Sequence, residues 1–119
     1  MKKVLKSFLY AWEGIVYVFQ HEYNFRLQLI CAYIVIAGGI FVGMNRWEMI
    51  VVVAMSLAVL TLEILNTVFE KMLDVLRPRL VYQVKIVKDM LAAMVLMASI
   101  GAVVIGGILF WPYMFEFFW

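Results

Sequence analysis

From Met90 to Phe110 the chain runs for twenty-one residues without a single charged side chain. No other feature narrows the fold as much, because an uncharged apolar run of this length is what a helix needs to cross a bilayer. A second such run extends from Leu27 to Met44, with Gln28 as its only strongly polar residue. A third begins at Met49 and stays uncharged only to Leu62. Fourteen residues fall short of the roughly 30 Å hydrocarbon layer, so this helix must continue through Glu63 to about Phe69. The sequence therefore predicts an all-α integral membrane protein with spans at 27–44, 49–69 and 90–111. Asn45-Arg46-Trp47-Glu48 forms a tight polar turn, and a polar segment occupies 70–89, interrupted by Pro78. Composition agrees, since 67% of the 119 residues are hydrophobic and only 15% are charged. A soluble domain this short could not hide that much apolar surface.

Residues 1–24 follow a different pattern. Val4, Leu5, Phe8, Leu9, Trp12, Ile15, Val16 and Phe19 recur at helical spacing, with Lys2, Lys3, Lys6, Glu13, Gln20 and His21 mostly on the other face. Such a helix lies in the membrane interface with its lysines near the headgroups. Nothing here reads as a cleavable signal peptide, because Trp12-Glu13-Gly14 and His21-Glu22 break the apolar core one would need. In a three-span layout, nine of the ten lysines and arginines fall on one side and only Arg46 on the other. The positive-inside rule then places the amino terminus and segment 70–89 in the cytoplasm and the carboxyl terminus outside. A membrane with these lysines on its cytoplasmic face is the expected location. The formal charge of +2 is too small to suggest nucleic acid as a partner. Cys31, in an apolar run, reads as a small buried hydrophobe. The glycines of the spans read as helix-packing positions. Trp111 to Trp119 fits an interfacial aromatic belt, with Pro112 where a helix can stop.

This topology gathers acids that are distant in sequence. Glu22 precedes the first span, Glu63 and Glu70 end the second, and Asp74 and Asp89 bracket the cytoplasmic segment. Glu63, Asn66, Glu70 and Asp74 are spaced by three, four and four residues and make one stripe on a helix. Charge at the edge of the hydrocarbon is expensive and usually functional. An oxygen-only donor set suits Mg²⁺, which is commonly held by one or two carboxylates together with substrate phosphates. Lys88 beside Asp89 adds an ammonium suited to polyphosphate. Carboxylates, Mg²⁺ and a lysine are the parts phosphoryl transfer from ATP requires.

These residues also carry a family resemblance. Glu63-Ile64-Leu65-Asn66-Thr67-Val68-Phe69-Glu70, followed by Asp74, resembles the signature of the prokaryotic diacylglycerol kinases and undecaprenol kinases. Lys85-x-x-Lys88-Asp89 is similar to their second motif, and Trp12-x-Gly14 and Glu22-x-x-Phe25-Arg26 are similar to their amino-terminal region. The resemblance implies a homotrimer of three-span chains, with active sites shared between subunits, that phosphorylates the primary hydroxyl of a membrane lipid from MgATP. It implies that Glu63 is the catalytic base and that Glu22 and Glu70 hold the metal. Nucleotide contacts would come from Lys3, Tyr10, Glu22, Glu70, Lys88 and Asp89, with Asn66 and Asp74 in support. Trp12, Asn24, Phe25, Arg26, Gln28 and Ala92 would border the lipid. The form Glu22-x-Asn24-Phe25-Arg26 inclines toward undecaprenol over diacylglycerol. The chain departs from the pattern at Val68 and Phe69, at the bulky Leu91 and Met94, and in the loop Arg77-Pro78-Arg79. The alternatives are a non-enzymatic channel or assembly subunit, which does not explain acids clustered at one rim, and an inactive member of the family.

Overall fold

A computed structural model describes residues 1–76 and 81–119, so the expectations for Arg77, Pro78 and Arg79 lie outside the described residues. The described chain consists of four helices: α1 (Lys2–His21), α2 (Tyr23–Val42), α3 (Arg46–Leu76) and α4 (Val81–Phe118). The last three are long and apolar enough to cross a membrane, so the protein is an all-α membrane protein with three spans. α1 leaves its apolar stripe uncovered: Phe8, Leu9 and Trp12 are exposed, as an interfacial helix requires.

The helices run further than the uncharged runs do. α3 has 31 residues, about 46 Å at 1.5 Å per residue, so one end must emerge from a hydrocarbon layer of roughly 30 Å. Counted from Arg46, the layer ends at about residue 66, which leaves Glu63 just inside it and Glu70 and Asp74 beyond. The polar segment 70–89 is therefore mostly helix in its described parts, divided between the end of α3 and the start of α4. The aromatic tail is helical too. α4 passes through Pro112, which forfeits one backbone hydrogen bond without ending the helix.

α2 and α4 both pack on α3, which makes α3 the spine of the protein. The two turns on the spine's flanks are built differently. At Glu22 the backbone is extended (φ −113°, ψ 108°), and Arg26 caps the end of α1 by donating to the carbonyls of Phe19 (2.9 Å) and Gln20 (3.0 Å). At the opposite rim, Gly43 adopts a left-handed conformation (φ +79°). Met44 N–H donates to Gly39 O and Gly43 N–H to Ile40 O, the Schellman pattern. α3 then begins with a reciprocal capping box. Glu48 N–H donates to Asn45 Oδ1 (2.9 Å), and Asn45 N–H donates to Glu48 Oε1 (3.2 Å). Tyr113 donates its hydroxyl to the same Glu48 oxygen and so ties the end of α4 to the start of α3.

The glycines divide by role. Gly38 packs near Phe110 and Gly39 lies against Met44 and Met49, as expected of helix-packing positions. Gly101, Gly106 and Gly107 face open space among the described residues instead, because α2 and α4 lean on α3 without closing on each other along their length. Cys31 is likewise exposed rather than buried.

At Gly43 the positive φ is the whole constraint, because nothing lies within 4 Å of where a side-chain carbon would stand. Gly43→Val is expected to lower stability by about 1–2 kcal/mol, and Gly43→Asn by less, because asparagine tolerates the left-handed region. Thermal midpoints in detergent check this, and equal midpoints for native and Gly43→Val would contradict the turn geometry.

Candidate active site at the acidic rim

Glu63 lies at the centre of the rim where α1, α2 and α3 meet. It is 3% exposed, and Gln28 of α2 donates from Nε2 to its Oε2 at 3.3 Å. Position 63 follows from α3 continuing beyond the uncharged run, and Gln28 faces it because α2 packs antiparallel against α3. Thr67, one turn further on and also 3% exposed, donates its hydroxyl to the Glu63 carbonyl at 3.0 Å. Its side chain is thereby satisfied within its own helix. The charges of Glu22 and Glu70 both reach Glu63, so three acids from separate segments share one electrostatic neighbourhood. Burial of a carboxylate so close to like charges is costly unless a cation or a hydrogen-bond donor compensates.

Two buried oxygens, Gln28 Oε1 and Asn66 Oδ1, have no hydrogen-bond partner among the described residues. Each unmet acceptor costs about 1–3 kcal/mol. Both flank Glu63 in sequence or by contact. The neighbourhood is thus short of donors as well as crowded with acids.

The cations of the rim are placed around this core. Lys88 Nζ pairs with Asp74 Oδ1 at 2.9 Å, joining α4 to α3. Lys85 Nζ pairs with Asp89 Oδ2 at 2.8 Å within α4, where both side chains are largely exposed. Lys71 stands 5.7 Å from the centre of the Tyr17 ring, which stacks on His21 at 4.1 Å.

The sequence-derived set is therefore brought together in part. Gln28 bonds Glu63, and Glu22 and Glu70 lie within electrostatic range of it. Asp74 and Lys88 meet each other, and Asp89 meets Lys85. Phe25 is 4% exposed and packs in the core rather than lining an open edge, and Arg26 is occupied in capping α1. Glu22 and Arg26, four residues apart, do not form an ion pair among the described residues. Lys3, Tyr10 and Trp12 are exposed on α1 and Asn24 at the start of α2, while Ala92 is exposed on α4. These five stand on the periphery of the acidic cluster.

Among the described residues, no three histidines, cysteines or acids stand close enough to hold a bare metal ion. The donor chemistry still suits Mg²⁺ delivered with a nucleotide. That ion keeps several waters and takes one or two carboxylates, with phosphates supplying further oxygens. Glu22 and Glu70, both acting on Glu63, are the carboxylates that would supply that requirement.

Sequence reasoning misses two participants, Tyr17 and Lys71, and one bond. It names Gln28 as a lipid-bordering residue, and the bond from Gln28 to Glu63 follows only from the packing of α2 on α3. Tyr17 and Lys71 come together across α1 and α3, and the only sequence signal is the four-residue spacing of Tyr17 and His21. Between α2 and α4, floored by α3, an apolar groove of about 540 Å³ runs from Gln28 past Cys31, Ala32, Ser56 and Ala102 to Phe110. A side-chain carbon at Gly38 would touch the Phe110 ring at 3.5 Å, so the groove closes there.

Comparison with known proteins gives this geometry a family. Residues 9–110 match the model of the prokaryotic diacylglycerol kinase family. A protein of Synechocystis sp. named diacylglycerol kinase is 36% identical over 110 residues, covering 92% of this chain and 63% of that protein. The chain thus spans somewhat less than two thirds of that relative's length. A protein of Bacillus subtilis named undecaprenol kinase is 27% identical over 112 residues, covering 94% of this chain and 91% of that protein. The family match takes in most of α1, both rims and nearly all of the three spans, including Glu22, Gln28, Glu63 and Glu70. The chain belongs to the prokaryotic diacylglycerol kinase family.

Proposed function

We propose that this protein is a lipid kinase that transfers the γ-phosphoryl group of MgATP to the primary hydroxyl of a membrane lipid. The observation that carries the reading is the buried Glu63, held by Gln28 at the inner end of an intramembrane groove, with Glu22 and Glu70 in electrostatic range. In this reading the lipid's hydrocarbon chain enters along the groove and its hydroxyl arrives beside Glu63. The hydroxyl first donates to Gln28 Oε1, which otherwise lacks a donor, and then turns its proton to Glu63. Glu63 then takes the hydroxyl proton as the oxygen attacks the γ-phosphorus. The bond from that phosphorus to the β-phosphate's bridging oxygen breaks, so the products are the lipid phosphate and ADP. Glu22 and Glu70 hold the nucleotide's Mg²⁺, whose part is to neutralise and orient the triphosphate oxygens. The acidic rim lies at the cytoplasmic face of the bacterial inner membrane, because the lysines share that rim.

The relatives' names divide between diacylglycerol and undecaprenol, and both are primary alcohols on hydrocarbon. The form Glu22-x-Asn24-Phe25-Arg26 favours undecaprenol. A homotrimer with shared sites accounts for the second unmet acceptor, Asn66 Oδ1, if a neighbouring subunit brings its donor. A conduction pathway has little support in the spans. Ser56, a rare polar residue at mid-depth, donates its hydroxyl to Val52 O at 2.9 Å.

Two outcomes test the reading. Glu63→Gln is expected to reduce phosphate transfer from radiolabelled ATP to lipid by about 10²–10⁴-fold, with helix content and elution volume unchanged. Near-native turnover would remove Glu63 as the base. Ala102→Phe, which narrows the groove, is expected to raise KM for long-chain lipid alcohols several-fold more than KM for a short-chain alcohol. An equal effect on both would show that the chain does not lie there.

A further inference from the structure

The three described lysines of the acidic rim are not equally available to a phosphate. Lys88 is paired with Asp74 and Lys85 with Asp89, each at hydrogen-bonding distance. A phosphate recruiting either must first break a charge-assisted bond. Lys71 forms no direct ion pair among the described residues. Its ammonium rests 5.7 Å from the Tyr17 ring centre, an exposed cation–π contact. Its partner there is the neutral Tyr17, whose ring and hydroxyl hold an ammonium less strongly than a charged phosphate oxygen does.

Its position is as informative as its availability. Lys71 directly follows Glu70 on α3. Tyr17, the ring it rests on, is stacked against His21, and His21 Nδ1 lies 2.9 Å from the Tyr17 carbonyl oxygen. That small stack ends α1 immediately before Glu22. Tyr17 acts most strongly on the Lys71 ammonium, and the carboxylates of Glu22 and Asp74 act on it as well. Lys71 is thus within electrostatic range of Glu22 and next to Glu70 along α3, with its head in solvent. A lysine ammonium is a compact charge with three donors on a flexible stem, and it can swing from a ring to an arriving anion without moving the backbone.

We propose that Lys71 binds the polyphosphate of the nucleotide, leaving its perch on Tyr17 to do so. The inference rests on the phosphoryl-transfer reading above and adds a residue to it. It explains how a rim of acids admits a polyanion at all. Lys71 brings positive charge to the place where Glu22, Glu63 and Glu70 repel a polyanion, without first having to leave an ion pair as Lys85 and Lys88 must.

The test varies MgATP and lipid separately. Lys71→Gln is expected to raise KM for MgATP by about tenfold, the value of one charge-assisted hydrogen bond, with KM for lipid and the thermal midpoint unchanged. Lys71→Arg is expected to recover most of the loss. Displacement of a fluorescent ATP analogue by inorganic triphosphate gives a second readout that needs no turnover, and Lys71→Gln is expected to weaken it similarly. If Lys71 merely tethers α1, then Lys71→Gln and Tyr17→Leu will behave alike, lowering the midpoint and impairing both substrates, and the inference fails. It also fails if native protein phosphorylates lipid and Lys71→Gln leaves the MgATP KM intact, which spares the kinase reading. Should no lipid be phosphorylated while Lys71→Gln still weakens triphosphate binding, the kinase reading fails and Lys71 stands as a phosphate ligand. Absence of both turnover and nucleotide binding in the native protein overturns both.

Discussion

A carboxylate placed inside the edge of the hydrocarbon is the constraint around which this protein is arranged. Glu63 is 3% exposed on a helix otherwise suited to lipid, and it is held by the amide of Gln28 from the neighbouring span. An unpaired charge at that depth would be shed by protonation or expelled by tilting the helix. Three features of the fold keep it in place. α3 is long enough to continue past it into water, α2 packs against α3 so that Gln28 meets it, and the extended residue Glu22 brings α1 back over the rim. The opposite rim has no comparable tension. There, Gly43, the Asn45–Glu48 capping box and the Tyr113 hydroxyl satisfy one another and fix the far end of the spine.

The remainder of the rim follows from how charge is distributed about Glu63. Acids brought close together create demand for cations and donors. Two lysines meet part of that demand by pairing with Asp74 and Asp89, and the Lys88–Asp74 pair also joins α4 to the site. The oxygens of Gln28 and Asn66 are what remains unsatisfied among the described residues. In the proposed reaction, substrates supply what is missing, with the lipid's hydroxyl for one acceptor and a nucleotide-borne cation for the acids. In the same proposal the apolar groove between α2 and α4 would let a lipid approach Gln28 and Glu63 from within the membrane without opening the site to water.

Much of this is legible in the sequence. The uncharged runs mark out three spans, and the short third run requires Glu63 to sit within its helix, as the structure has it. That Glu22, Glu63 and Glu70 share one rim, with Glu22 and Glu70 in electrostatic range of Glu63, follows from topology. The details of partnership are not legible, because they depend on helix rotation and contact rather than on position along the chain. Gln28 meets Glu63 and Lys88 meets Asp74 only once the spans are packed. Arg26 could pair with Glu22 at helical spacing, but the helix breaks at Glu22, and the guanidinium turns back to cap α1. Hydropathy likewise places helix ends too early, because a helix in water past the bilayer is stabilised by packing and ion pairs that an apolar run does not record.

The claim on which the account most depends is that Glu22 and Glu70 receive the nucleotide through its metal. Equilibrium binding of ATP to the detergent-solubilised protein, with and without Mg²⁺, tests this without reference to the lipid. Mg²⁺ is expected to tighten binding of ATP to the native protein, and that advantage is expected to vanish when Glu22 and Glu70 are both replaced by glutamine. A double variant that retains the full metal-dependent gain would contradict it.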